Sequence, residues 1–342
     1  MNWTELDWPA LDRLRDAFLS GSAAGGPYWK SVSDLASYDL TYGERIAWKW
    51  DHVLRELKLR SWAPPARTVL DWGCGSGVAG RRVIEAFGAA RFGSLFVWDH
   101  SPAACVFAAE AATRAFPGLA VSSVTPGWLA SSEPIGLLLV SHVLNELSPE
   151  ALAGLRALVA RAESVIWVEP GTHAVSRSLG ALRDDFRSAF TVIAPCTHQG
   201  ACPILAPGRE RDWCHHFAPP PSEIFATSDW VKFGQRAGID LRSLPYSFFV
   251  LDRSPKTIPP DGLSRIIGRP EHFKPYARFL NCDASGLAEL TLPKRSDPAL
   301  YKQLDRTKAP LVYRWRREGD TLLGGEAVTA VSDLPSSDST AP

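Results

Sequence analysis

The most constraining feature of the sequence is the stretch T-V-L-D-W-G-C-G-S-G-V-A-G, at residues 68 to 80. Its apolar, β-branched first half leads directly into closely spaced glycines, which predicts a strand, a tight loop and the start of a helix. Because Gly73, Gly75 and Gly77 lack Cβ atoms, the loop can adopt positive φ angles and a ligand can lie against its backbone. The free amides at the start of the next helix would face that ligand. The stretch therefore predicts a ligand-binding loop.

An acidic residue distinguishes this loop from the usual dinucleotide-binding pattern. Gly75, Gly77 and Gly80 satisfy G-x-G-x-x-G, but the glycines begin earlier, at Gly73, and Asp71 ends the strand. The resulting arrangement, D-x-G-x-G-x-G, resembles the loop of S-adenosylmethionine (SAM) methyltransferases more than that of dehydrogenases. We therefore predict that Asp71 and the first three loop glycines bind SAM, and an NAD oxidoreductase is the weakest alternative.

A second acidic residue, Asp99, ends the next predicted strand, S-L-F-V-W-D at 94 to 99. It lies 22 residues after Gly77. In folds of this kind an acid at about that distance accepts hydrogen bonds from ribose hydroxyls. Since the same position serves SAM and NAD, Asp99 indicates a nucleoside without choosing between them.

The run I-G-L-L-L-V-S-H-V-L-N-E-L, at 135 to 147, predicts a buried strand that ends in a polar loop. Ligands of open α/β sheets bind beyond the carboxyl ends of the strands, so this loop is where a substrate would meet a methyl donor. Asn145 and Glu146 are the catalytic candidates, because they can hold or deprotonate a methyl acceptor. Capping of local structure is the alternative role for both. The D/N-P-P-Y/F motif of many amino-methyltransferases is missing here.

Strands that alternate with helices predict an α/β fold with a doubly wound, Rossmann-like sheet of the class I SAM-methyltransferase type. We expect a helical N-terminal cap over residues 1–63 and the sheet domain over 64–254. A Cys-rich insertion at 194–217 interrupts that domain. A small β-rich segment over 255–320 and a disordered tail over 321–342 complete the predicted organisation.

Three cysteines, Cys196, Cys202 and Cys214, lie in a segment too rich in proline and glycine to form a regular helix. A metal centre would stabilise such a segment, and one more ligand is needed. The candidates for that ligand are Cys282 and the histidines His198, His215 and His216. Three buried structural cysteines are the alternative.

The spacing of these cysteines leaves the metal open. Structural zinc sites usually show C-x2-4-C pairs, whereas the intervals here are five and eleven residues. Irregular four-cysteine sets also suit a [4Fe-4S] cluster. Cys74 and Cys105 each stand alone within the nucleotide fold and are interpreted as small packing residues.

Overall charge excludes little, because Lys plus Arg and Asp plus Glu both number 37. No apolar run approaches the ~18 residues of a membrane helix, so no membrane span is expected. Early acids, Glu5 and Asp7, are unlike a transit peptide, and a cytoplasmic location is predicted.

Residues 251–320 carry 14 Lys/Arg against 9 Asp/Glu, and Arg314, Trp315, Arg316 and Arg317 are clustered there. This excess predicts phosphate contacts with aromatic stacking, although a solvated strand has a similar composition.

Several motifs occur together along residues 38–317. In chain order they are V-L-D-W-G-C-G-S-G, V-L-N-E-L, V-E-P-G-T followed by Arg177, A-P-C-T-H-x-x-x-C-P, D-W-C-H, Cys282 and P-K-R at 293–295. In this combination the chain resembles the mitochondrial small-ribosomal-subunit methyltransferase-like family, which also has bacterial members. After Cys214-His215 the family usually continues with Phe, polar residues and Arg, whereas His216, Phe217 and a run of prolines follow here. The surface beside this motif is therefore expected to differ.

The resemblance implies a SAM-type Rossmann domain that acts on, or assembles, the small ribosomal subunit. It further implies a [4Fe-4S] cluster held by Cys196, Cys202, Cys214 and Cys282, for which zinc is the alternative. The expected partner is the small ribosomal subunit or its rRNA, and the protein is expected to be monomeric off the ribosome.

Two functions of different classes follow. The first is an enzyme that transfers a methyl group from SAM to ribosomal RNA or to a ribosomal protein, in which positioning supplies most of the catalysis. The second is a non-catalytic ribosome assembly factor that uses the SAM fold as a binding platform and carries a structural Fe-S or zinc site.

Overall fold

Short runs of valine, isoleucine and leucine form a large sheet in the computed structural model, which describes residues 2–20, 28–255, 262–305 and 312–328. The strands of this sheet are β1 (Thr68–Trp72), β2 (Ser94–Trp98), β3 (Ala120–Ser123), β4 (Ile135–Ser141), β5 (Ala162–Pro170), β6 (Thr191–Ala194), β7 (His216–Ala218) and β8 (Leu244–Asp252). Their spatial order is β3-β2-β1-β4-β5-β8-β6, and β7 also pairs with β8.

The central pairs from β3 to β5 are parallel, and β8 runs antiparallel to β5, β6 and β7. The centre is buried on both faces, since Ile135 to Val140 of β4 are all buried. Along β1 the side chains alternate, so that Val69 packs into one core cluster and Leu70 into the other. The sheet has the doubly wound order of class I SAM methyltransferases, and the predicted fold class is confirmed.

Helices connect the strands and cover the sheet. They are α4 (Val78–Phe87), α5 (Pro102–Ala115), α6 (Pro126–Leu129), α7 (Pro149–Arg161), α8 (His173–Phe186) and α9 (Ser228–Ala237), with 3-10 turns at Ala89–Arg91, Leu144–Glu146, Pro203–Leu205 and Ser222–Phe225. Three of these helices begin with the same local chemistry, because Ser101, Thr125 and Ser148 accept a backbone N–H and a proline follows each.

The N-terminal part is helical. It contains a 3-10 turn at Trp3–Glu5, α1 (Trp8–Ser20), α2 (Val32–Tyr38), a π-helical turn at Asp39–Gly43 and α3 (Glu44–Leu59). Helix α3 buries Trp50, Val53, Leu54 and Leu57, the residues whose spacing predicts an amphipathic helix, in the core cluster on one side of the sheet.

A closed barrel follows the sheet. Its elements are β9 (Ser264–Phe273), β10 (Tyr276–Asp283), β11 (Gly286–Pro293), α10 (Pro298–Leu304), β12 (Val312–Glu318) and β13 (Thr321–Ala327). The strands close in the order β10-β11-β13-β12-β9. Strands β11 and β13 are parallel, whereas the other neighbours are antiparallel. Phe279, Leu290 and Leu292 fill the interior with Leu322.

Counted from its own first strand, the barrel has the cyclic order 1-2-3-5-4 with a helix between the third and fourth strands, which is the topology of an OB fold. The predicted boundary of the disordered tail is wrong, because Thr321–Ala327 are the fifth barrel strand and not part of a tail. The remainder of the predicted tail, from residue 329, lies outside the described residues.

Strand β12 also corrects the interpretation of Trp315 as an RNA-stacking residue. The Trp315 ring is stacked on buried Tyr313 at a centroid distance of 4.3 Å and donates its Nε1–H to Asn281 at 2.9 Å. The neighbouring Arg316 and Arg317 are exposed. Strand β12 therefore presents cations to solvent but keeps its tryptophan for packing.

A buried ion pair joins the barrel to the rest of the protein. Arg265 at the start of the barrel donates to both carboxylate oxygens of Glu56 on α3, at 2.5 and 2.9 Å. The Arg265 side chain is 2% exposed and also contacts the Pro195 carbonyl oxygen at 3.2 Å. Within the described ranges, no helix has both the length and the apolar character needed to cross a bilayer.

Candidate functional site

The glycine loop after β1 adopts the backbone conformation that its sequence predicts. Gly73, Gly75 and Gly77 have φ angles of +68°, +51° and +78°, a region that favours glycine. At Gly77 an added Cβ would lie 2.8 Å from the Cβ of Ala108, so helix α5 also requires a glycine there. At Gly75 the space is open, with Trp29 at 3.9 Å from an added Cβ. The loop is thus held open beside Gly75.

The two acids predicted to bind the cofactor have different positions. Asp99 accepts N–H bonds from Gly75 at 3.0 Å and Ser101 at 2.9 Å, and burial raises its pKa. Asp71 lies beneath the loop, where one oxygen accepts the Gly80 N–H at 2.9 Å and burial raises its pKa to about 7. Asp99 therefore faces the ligand space, whereas Asp71 supports the loop from the core.

A cavity of about 360 Å³ opens above this loop, within the range of small-molecule sites. Gly73, Gly75 and Asp99 line it, together with Trp72 and Trp98, whose rings are stacked 5.1 Å apart. Helices α1 and α2 and two residues shortly before α2 supply an aromatic wall, which consists of Phe18, Tyr28, Trp29 and Tyr38. The cavity lies beyond the carboxyl ends of parallel strands, as predicted for this fold.

The two catalytic candidates separate in the structure. Glu146 lines the cavity, where burial and then the charge of Asp99 raise its pKa to about 7. Asn145 is on the same 3-10 turn, but its side chain is exposed and is not part of the cavity lining. A carboxyl group with a pKa near neutrality beside a ligand space can exchange a proton at working pH.

Sequence reasoning missed a polar pair at the end of β4. Lys49 on α3 is buried, and its Nζ lies 3.0 Å from Nε2 of His142, which lines the cavity. Burial and then the charge of Arg45 lower the pKa of Lys49 to about 7. His142 has a φ of +57°, which is uncommon for a residue with a side chain. The sequence feature that could have indicated this pair is Lys49 itself, a lysine on the apolar face of α3 next to Trp50.

The four predicted metal ligands, Cys196, Cys202, Cys214 and Cys282, lie near one another in what we call the cysteine region. All four thiols are free. Burial and then the charges of Cys196, Cys214 and Cys202 raise the pKa of Cys282, which shows that the four sulfur atoms lie within electrostatic range. Burial and the neighbouring Cys196 likewise raise the pKa of Cys202 to about 11. In the described part of the chain, however, no group of three or more His, Cys, Asp or Glu side chains is arranged to hold a metal ion.

The histidines considered as alternative ligands differ in position. His198 Nε2 is 3.8 Å from the sulfur of Cys282, and His216 Nε2 is 3.8 Å from that of Cys214. His215 is stacked on Trp213 at 4.5 Å instead and faces the barrel. His198 and His216 therefore stand beside the thiols, whereas His215 does not.

The surroundings of the cysteines contain buried polar atoms without a partner among the described residues. They are Thr197 Oγ1, Arg183 Nε, His216 Nδ1 and Arg265 Nε. Burial lowers the pKa of Arg183, but Cys196, Asp184 and Cys202 together raise it above its usual value, so this guanidinium lies near the thiols. An anionic centre held by thiolates would be stabilised by such cations, and the orphaned donors fit an additional group at this place.

Comparison with known proteins gives a family match. The family model described as mitochondrial small ribosomal subunit Rsm22 matches residues 49–305. No curated protein matches the chain.

Solved structures with a similar fold include three proteins. A putative RNA methyltransferase from Pyrococcus horikoshii is 10% identical, covers 60% of this chain and 83% of its own, and has a TM-score of 0.37. A magnesium protoporphyrin IX methyltransferase from Synechocystis PCC 6803 with bound SAM is 14% identical over 70% and 95%, with a TM-score of 0.38. An O-methyltransferase family protein from Burkholderia thailandensis is 14% identical over 75% and 71%, also with a TM-score of 0.38. Because the TM-scores lie below 0.5, these structures carry no argument. The assignment to the class I SAM-methyltransferase fold rests on the family match and the sheet order.

Proposed function

The chain belongs to the mitochondrial small ribosomal subunit Rsm22 family, and from this premise we propose that it is a SAM-dependent methyltransferase that acts on the small ribosomal subunit. One observation carries the proposal. The cavity lined by Gly73, Gly75, Asp99 and Glu146 lies at the carboxyl ends of β1, β2 and β4, where a SAM-type fold holds its methyl donor.

The residues of the cavity suit each part of SAM. The backbone at Gly73 and Gly75 lines the ligand space, and the Asp99 carboxylate retains lone pairs for ribose hydroxyls after bonding the Gly75 and Ser101 N–H groups. The Trp72 and Trp98 rings supply flat apolar surface for a base. Bound SAM would supply an electrophilic methyl group.

We assign to Glu146 the role of the residue that contacts the methyl acceptor. Its carboxyl group is in the cavity, and its pKa of about 7 suits the acceptance of a proton from a weakly acidic nucleophile. Asn145, exposed on the same turn, is the second candidate and would contact an acceptor that enters from solvent. The assignments of both residues, and those of Gly73, Gly75, Gly77 and Asp99 to SAM, stay predictions. Asp71 stays a prediction only as the residue that holds the loop from the core.

We also propose that Cys196, Cys202, Cys214 and Cys282 hold a [4Fe-4S] cluster, for which zinc is the alternative. The convergence of the thiols, the orphaned polar atoms and the nearby Arg183 support this assignment. Such a centre would tie the insertion to β10 of the barrel, because Cys282 belongs to that strand. The small-subunit rRNA as partner, the cytoplasmic location and the monomeric state stay predictions.

A non-catalytic assembly factor is the second candidate. It is favoured by the exposure of Asn145 outside the cavity and by the missing D/N-P-P-Y/F motif. In that case SAM, or its product, would only stabilise the platform.

Two variants test the proposal. Gly75→Leu fills the open side of the loop, whereas Gly88→Leu introduces a side chain at a φ of +87° with nothing within 4 Å and far from the cavity lining. Titration calorimetry should show SAM binding in the parent and in Gly88→Leu and none in Gly75→Leu. Transfer of labelled methyl from SAM to small subunits should follow the same pattern. SAM binding without transfer favours the assembly factor, and equal SAM affinity in all three proteins contradicts the proposed site.

A further inference from the structure

The outer face of β9, β10 and β11 carries an exposed aromatic pair near the β9–β10 turn. Phe273, which is 39% exposed, is stacked on Tyr276 at a centroid distance of 4.8 Å and an angle of 29°. The Tyr301 hydroxyl holds the Phe273 carbonyl oxygen at 2.8 Å, so the turn is fixed to α10. A large ring kept in solvent by a rigid turn offers a flat surface to a ligand.

Cations surround this aromatic pair. Lys274 occupies the turn, and the Lys294 backbone N–H donates to the Pro275 carbonyl at 2.9 Å, which places Lys294 and Arg295 beside the same turn. Across the described ranges, none of Lys274, Lys294 and Arg295 makes an ion pair. The Lys294 Nζ lies 5.3 Å from the centroid of the Tyr301 ring, and the three cations remain available to an anionic ligand.

A second aromatic pair lies on the same face at the other end. Trp213 and His215 are stacked at 4.5 Å and 16°, and both line a cleft of about 230 Å³ together with outward side chains of β9 to β11. Gly268, at a φ of +72°, forms a bulge in β9, and its N–H donates to the His215 carbonyl at 2.9 Å. This bulge brings the insertion against the barrel face.

Arg278 connects the two ends. It lies in the lining of the cleft, and its guanidinium is 5.4 Å from the centroid of the Phe273 ring. It also pairs with Glu271 at 2.6 Å and with Glu289 at 3.6 Å, which offsets the acids on this face. Asp212 is a third acid in the lining of the cleft, so with Arg269 the face has five cations against three acids.

We propose that this face, defined by Phe273, Tyr276, Lys274, Lys294, Arg295 and the Trp213–His215 pair, binds a short segment of single-stranded RNA. Flat rings at both ends can stack on bases, which are accessible only in an unpaired strand, and the cations between and beside them can contact phosphates. The second and third strands of an OB-fold barrel are the ones that bind oligonucleotides. This inference rests on the proposed function, because it names the part of the rRNA partner that the barrel contacts.

Fluorescence anisotropy with a labelled mixed-sequence RNA of about 12 nucleotides tests the inference on the full chain. Phe273→Ala should weaken binding about tenfold, and Phe273→Trp should restore it because a larger ring replaces the lost stack. The matched control is Phe225→Ala, which removes another exposed phenylalanine, 56% exposed and away from the barrel. The triple change of Lys274, Lys294 and Arg295 to Gln should lower the salt slope by about 2. Changing Lys58, Arg114 and Lys232 to Gln removes the same charge elsewhere.

The inference is overturned if the barrel variants and their controls bind the single strand equally, or if a duplex of the same sequence binds the parent as tightly as the single strand. It is supported if only the barrel variants lose affinity and the single strand is preferred. SAM calorimetry on the same preparations separates this result from the proposed function. If the parent does not bind SAM, the proposed methyltransferase function is contradicted and the RNA result is unaffected. If the parent binds SAM and the barrel variants keep their RNA affinity, only the RNA-binding face is contradicted.

Discussion

The glycine-loop cavity and the cysteine region are both candidate ligand sites, but their backbones are held by different means. The cavity lies at the ends of paired parallel strands, and two carboxylates, Asp99 and Asp71, hold its loop. The cysteine region is irregular, and arginines bond its carbonyl groups. Arg60 donates to Ile193, Pro195 and Cys196, Arg177 to Ile204, Arg209 and Asp212, and Arg183 to His198 and Gly200.

The two regions therefore differ in whether a ligand is needed for folding. Strand pairing forms the cavity whether or not a ligand is bound, so ligand removal should change affinity and activity but not the fold. The cysteine region depends on side chains, and some of its buried polar atoms have no partner among the described residues. We therefore expect an exchangeable ligand in the first region and a resident metal centre in the second.

The largest effect is expected from Cys282→Ser, which removes the one proposed metal ligand that lies in the barrel. Metal binding in small structural sites contributes on the order of 10 kcal/mol, so its loss should loosen both segments that the centre joins. Limited proteolysis should detect new cleavage at Arg209 to Arg211 and within the barrel. Cys105→Ser, at another buried cysteine outside this region, should leave metal content and cleavage pattern unchanged. Full metal content in Cys282→Ser would contradict the ligand set.

A smaller loss of several kcal/mol is expected from Glu56→Gln. Glu56 is the only carboxylate paired with both Arg60 and Arg265 in the described residues, and removal of one partner of a buried pair costs about 3–5 kcal/mol. Burial raises the pKa of Glu56, but the charges of Arg265 and Arg60 outweigh this effect and lower the pKa to about 2. The parent should therefore lose this stability as the pH falls from about 4.5 to about 2, and Glu56→Gln should lack that loss. Urea unfolding at several pH values measures it, and parallel curves for both proteins would contradict the pair's role.

Lys49→Met should change the pH dependence of folding in the opposite direction. The folded pKa of Lys49, about 7, lies below its unfolded value of about 10.4, so the unfolded chain binds the additional proton between these values. Parent stability should rise by on the order of 3 kcal/mol from pH 7 to 10, and this rise should be absent in Lys49→Met. Lys58→Met, at an exposed position of the same helix, is the control. Identical slopes in all three proteins would show that Lys49 is solvated.

The smallest effect on folding, with a distinct effect on binding, is expected from Asp99→Asn. The amide keeps an oxygen acceptor for the Gly75 or Ser101 N–H but loses the charge that strengthens bonds to ribose hydroxyls, which costs about 1.5 kcal/mol, or roughly tenfold in SAM affinity. The melting temperature should change by only a few degrees. A large drop in melting temperature with unchanged SAM affinity would reverse the contrast between the two regions.

The parts that sequence patterns predicted are the ones that local chemistry determines. The D-x-G-x-G-x-G stretch requires glycine because its φ angles are positive. The four-cysteine set was predicted through the family resemblance, because the spacing alone left histidine ligands and zinc open.

The parts that were missed depend on contacts between distant segments. Lys49 and His142 are separated by 93 positions, and only the packing of α3 against the sheet brings them together. Closure of the barrel depends on pairing of β12 with β9 and of β13 with β11, which joins segments that look like separate short strands. The same fold lets Trp315 donate its Nε1–H to Asn281, 34 positions away, so a tryptophan among arginines was interpreted as an RNA contact.

The most direct test of the contrast between an exchangeable and a resident ligand is the metal content and absorption spectrum of the protein purified without oxygen. The account predicts about four iron atoms and four sulfides per chain with the broad brown absorption of a [4Fe-4S] cluster, and no SAM retained after dialysis. One zinc per chain without colour would contradict the cluster but keep a resident centre. Metal-free protein with the insertion and barrel both resistant to protease would contradict the central claim.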